Sequence, residues 1–197
     1  IIIRNPQEYG FGNIADVTKV FVTNKGNFTG EETKAVTISG TVTAAQADAI
    51  ADATSGAVTA NIAAGTAAAL NKALVDAKGD ALTLTVSGKT ATAADLKALA
   101  GKTSVAVEAS SIETITGNAA DVKAVLKAVT DSEITLGTPD ITVSGTISAG
   151  DANTIASHAS ATGVVTAKVE AGTANSLNLA LGVLGGADKL SLTVLNN

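Results

Sequence analysis

Residues 36–65 read VTISGTVTAAQADAIADATSGAVTANIAAG, and residues 141–172 read ITVSGTISAGDANTIASHASATGVVTAKVEAG. The two lie on one another with small insertions: Gly40 meets Gly145, Ile50 meets Ile155, and Gly65-Thr66 meets Gly172-Thr173. Each copy opens on a β-rich run with period-two alternation, then passes through a small polar residue into an Ala-rich amphipathic stretch. The same grammar recurs at Thr43 (TAAQADAI), Thr66 (TAAALNKAL), Thr92 (TAADLKAL), Asn118 (NAADVKAVL), Ser148 (SAGDANTI) and Thr173 (TANSLNLAL). The interval is about 25 residues, the signature of a repeat architecture.

The chemistry of each opening residue predicts a helix start. Its side-chain oxygen accepts from a free N–H of the first helical turn. Gln46 completes a capping box behind Thr43, while Asp95, Asp121 and Asp151 favour the positive helix end three residues after their caps. Leu70 with Leu74, Leu96 with Leu99, Val122 with Leu126, and Leu177 with Leu181 line one face of each helix. Between the helices, residues 36–43, 58–62, 82–86, 105–107, 141–143, 164–169 and 190–194 have the Val, Ile, Leu and Thr content of strands.

Strands joined by helices are parallel, with right-handed crossovers. The expected fold is therefore α/β: a solenoid of about six β-α units with a parallel sheet on one side and helices on the other. The units pair into three βαβα modules, about 36–84, 85–136 and 137–197, since TISG, TVSG and TVSG recur at 37–40, 85–88 and 142–145. The middle module diverges and carries an added stretch, 110–117. The competing architecture is a compact open sheet with helices on both faces.

Residues 1–35 are different material. Tyr9, Phe11, Phe21 and Phe28 are all the aromatic residues of the chain, and Arg4 is its single arginine. Residues 16–23 (DVTKVFVT) read as a strand and 24–30 as a polar loop. One reading makes the segment a cap over the open end of the repeats. The other makes it a docking arm, because aromatics and Arg are the residue types most enriched at binding hot spots; Arg4, Tyr9, Phe11, Phe21 and Phe28 are then the docking residues.

Composition excludes much chemistry. The chain of 197 residues is 46% hydrophobic but 2% aromatic, with no Cys, Met or Trp. Alanine and threonine make up roughly a third, well above ordinary usage. The lack of Cys removes disulfides, thiolate metal sites and thiol nucleophiles; one histidine, His158, removes two-His and three-His metal centres. A net charge of −5 offers nothing to nucleic acid. No apolar run approaches the roughly 18 residues of a membrane span. The start, Ile1-Ile2-Ile3-Arg4, lacks the features of a signal peptide and reads as a processed or truncated terminus.

Gly88-Lys89-Thr90 and Gly101-Lys102-Thr103 imitate the end of a phosphate-binding loop, but Thr83 and Leu96 stand where that motif needs its first glycine. His158 falls in a connection, SHAS, beside Ser160 and Asp151. Asp48, Asp52, Asp95, Asp121 and Asp151 recur on the helices, which suits a repeated capping or solvent-facing role rather than one acid/base pair. Asp80 and Asp188 precede equivalent strands, a turn position. The calcium nonapeptide and EF-hand loop are absent. Asn27-Phe28-Thr29 fits a glycosylation sequon. Catalytic residues, metal and cofactor are all expected to be none.

The [IV]SGT starts and the GVVTA-type second strand resemble the Ala/Thr-rich repeats of cyanobacterial surface and secreted proteins. They also resemble repeats in structural proteins of viruses infecting marine cyanobacteria. The likeness covers about 36–194. It implies a non-enzymatic structural protein displayed outside the cell, on a virion or cell surface, and anchored through its N-terminal segment. The partner is then a structural scaffold or copies of itself in a multicopy assembly. The alternative is an extracellular adhesin or recognition module binding glycan or protein along the solenoid.

Overall fold

Val36, Ile38 and Val42 alternate inward along one strand, and Thr43 stops it by capping the helix that follows. The computed structural model describes residues 11–27, 30–158, 163–182 and 187–196, and the element series begins at β1 (Phe11–Asn13) and α1 (Ile14–Thr18). It continues with β2 (Val36–Val42), α2 (Ala44–Ala53), β3 (Val58–Ile62), α3 (Ala67–Ala73), β4 (Ala81–Thr83), β5 (Thr90–Thr92), α4 (Ala93–Ala100), β6 (Val107–Ala109) and β7 (Thr114–Gly117). The remainder is α5 (Ala119–Thr130), β8 (Ile134–Leu136), β9 (Asp140–Ile147), α6 (Ala149–Ala156), β10 (Val165–Val169), β11 (Gly172–Thr173), α7 (Ala174–Ala180), β12 (Lys189–Ser191) and β13 (Val194–Leu195).

The protein is α/β, with parallel sheets. Two compact units divide it, one drawn from Ile1–Val86 with Ala98–Glu108 and the other from Ser87–Lys97 with Ala109–Asn197. In the first, the sheet runs β1-β2-β3-β4, every pair parallel and in chain order. In the second it runs β5-β7-β9-β10-β12, again parallel and in chain order. Inward positions stay level from strand to strand, as Ala60 with Leu82 and Ala167 with Leu190. In the first unit Ile38, Ile50, Val58, Leu70, Leu82 and Leu84 are buried; in the second Ile115, Leu126, Ile141, Ile155 and Val165 are. Burial of each such side chain stabilises by about 1.5–3 kcal/mol.

The [IV]SGT motif has a backbone reason. Gly40 and Gly145 have φ of 79° and 78°, and both strand registers shift at these positions. Residues with side chains rarely adopt that conformation. The glycine thus bends one strand so that its second half meets a new partner position.

Residues 16–23 are helical, which corrects the expected strand. Asn13 Oδ1 accepts from Asp16 N at 3.1 Å and starts α1, and a π-helical turn, Lys19–Thr23, follows directly. Val17 and Phe21, four residues apart, are the buried pair, so the pattern in DVTKVFVT has helical rather than two-residue spacing. β1 and α1 therefore form one more strand–helix unit with the cap grammar of the repeats. Other boundaries move by a few residues: the strand expected at 105–107 is β6, and that at 190–194 divides into β12 and β13. The added stretch at 110–117 contains β7.

Candidate functional site

All six expected caps make their bonds. Thr43 Oγ1 accepts from Gln46 N at 3.2 Å, and Gln46 Oε1 accepts from Thr43 N at 2.9 Å, closing the capping box. Thr66 and Thr92 accept from Ala69 N and Asp95 N at 3.2 and 3.0 Å. Asn118, Ser148 and Thr173 accept from Asp121 N, Asp151 N and Ser176 N at 2.9, 3.0 and 3.2 Å. Each such cap contributes about 1 kcal/mol. Asn13 repeats the arrangement and was not among the expected caps.

The candidate docking residues separate. Phe11 is 73% exposed, whereas Phe21 is completely buried and the turn that carries it packs on α2. Arg4, Tyr9 and Phe28 lie outside the described residues, as does Thr29 of the sequon.

The recurring acidic side chains hold one strand–helix unit to the next. Asp48 Oδ1, on α2, accepts from Asp76 N at 2.7 Å and Ala77 N at 3.3 Å. Lys97 on α4 reaches Asp121 on α5 at 3.2 Å, and Lys123 on α5 pairs with Asp151 on α6. The two ion pairs follow one rule: the fifth residue after one cap meets the third residue after the next. The Lys123 ammonium, with help from the Ser148 hydroxyl, holds the Asp151 carboxyl below its ordinary value against the smaller opposing effect of burial. Lys127 is raised by its hydrogen bond and charge contact with Asp131, four residues on.

A second set of staples was not read from the sequence. Asp80 is buried; its Oδ1 accepts from Val58 N at 2.8 Å and its Oδ2 from Lys78 N at 3.3 Å. Asp80 thus does more than shape its own turn. In the second unit Asp188 Oδ1 accepts from Val165 N at 2.9 Å, and Asp140 Oδ1 from Val164 N at 2.8 Å. Two Thr-Ser pairs do related work. Thr54 Oγ1 donates to Lys34 O at 2.7 Å and accepts from Gly56 N at 3.0 Å. Thr103 Oγ1 donates to Leu82 O at 2.7 Å and accepts from Val105 N at 3.1 Å. Ser55 N and Ser104 N donate to Glu32 O and Asp80 O, both at 2.7 Å. The signal was present as a repeated Thr-Ser dipeptide and as Asp80 and Asp188 ahead of matching strands.

The residues weighed for chemistry have structural partners. Lys89 pairs with Glu113, and Lys102 Nζ donates to Leu74 O. His158 Nδ1 lies 2.9 Å from Thr154 O just past α6, where it donates to that carbonyl; Ser160 lies outside the described residues. A groove of about 460 Å³ in the first unit is lined by Asp52, Thr54, Ser55, Asp76, Lys78 and Asp80 among others. Among the described residues no group of three or more His, Asp or Glu side chains is placed to hold a metal ion, and no helix is long and apolar enough to cross a membrane. No family model, curated protein or solved structure matches the chain.

Proposed function

We propose that this is a non-enzymatic structural repeat protein, displayed on a virion or cell surface and anchored through its N-terminal segment. In this reading the strand–helix units continue as one α/β solenoid of about six β-α units. One observation carries the proposal: the polar side chains that recur with the repeat are committed to joining consecutive units. Asp48, Asp80, Thr54 and Thr103 bond backbone groups about one unit away, and Lys97–Asp121 and Lys123–Asp151 tie helix to helix. Repetition at this level serves stiffness, since the stability of such an array is approximately a sum over neighbouring contacts. An excess of acidic side chains keeps such a surface apart from like-charged neighbours.

The anchoring part rests on Phe11, an exposed aromatic at the start of the first sheet. The test is incorporation of a tagged chain into its native particle or envelope. Substituting Arg4, Tyr9 and Phe11 by Ala is expected to remove the chain from the assembly while circular dichroism stays unchanged. Undiminished incorporation of the triple variant would refute N-terminal anchoring. The recognition reading is favoured by the polar groove beside Asp52 and Asp76. It predicts a saturable glycan or protein ligand that Asp52→Ala weakens.

A further inference from the structure

We draw no further inference here: the strongest candidate, the outward-facing row of Thr92, Thr116, Thr142 and Thr166 across β5, β7, β9 and β10, is a periodic stripe of small side chains, and nothing in the structure shows what covers it.

Discussion

Asp80 and Val58 stand 22 residues apart in sequence and are joined by a buried hydrogen bond of 2.8 Å from the Val58 N–H to the Asp80 carboxylate. The bond satisfies the first N–H of β3 with a side chain from the following turn, as Asp188 does for the first N–H of β10. Asp80→Ala strands that N–H, and the expected loss is about 1–3 kcal/mol. Asp80→Asn keeps an acceptor oxygen and loses less. Asp140→Ala frees the more exposed Val164 N–H, which water can satisfy, and loses least. Urea unfolding of the three variants gives this order if the staple is as described.

Among the described residues of the first unit, Phe21 is packed in the interior and Phe11 lies at the surface. Phe21→Ala empties a filled site against α2 and is expected to destabilise by about 3–5 kcal/mol. Phe11→Ala stays within about 0.5 kcal/mol of wild type. Thermal unfolding separates the two.

Two glycines respond differently to a methyl group. A Cβ on Gly56 would lie 2.2 Å from the Lys34 carbonyl carbon, whereas one on Gly40 meets open space at φ 79°. Gly56→Ala is expected to cost about 2–3 kcal/mol through forced backbone displacement. Gly40→Ala bears only the conformational strain, about 1–2 kcal/mol. Denaturant midpoints of the two variants check the ranking.

The helix rungs make a signed prediction for pH. Asp151 titrates below its ordinary value of 3.8 because Lys123 favours the carboxylate. A carboxyl depressed in the folded state contributes stability that is fully present above 3.8 and lost as pH falls through the folded value. Lys127 is raised above 10.5, so its pairing is fully present below 10.5 and lost as pH rises through the folded value. Carboxyl carbon NMR is expected to show the Asp151 midpoint moving upward in Lys123→Met. An unchanged midpoint would mean that the pair does not form.

How much of this was readable beforehand follows from the range of each interaction. Capping is local: Thr43 and Gln46 are three residues apart, and the side-chain types alone imply their bond. Parallel pairing in chain order also follows from strands separated by helices. The DVTKVFVT stretch has a strand's composition in Val17, Val20, Phe21 and Val22, and only the cap at Asn13 and the buried pair Val17–Phe21 mark it as a helix. The staples at Asp80, Thr54 and Thr103 reach a previous unit, and nothing in the local residue pattern names the N–H or carbonyl they meet. Phe11 stands between two glycines and Phe21 between two valines, but only the packing of the Phe21 turn on α2 separates a surface aromatic from a buried one.

The central claim, a structural repeat displayed on an outer surface, is tested most directly by immunogold electron microscopy. The samples are intact and permeabilised particles or cells carrying an epitope tag at exposed residue Asp52. The account predicts dense labelling of the intact exterior, unchanged by permeabilisation. Gold that binds only after permeabilisation would contradict it.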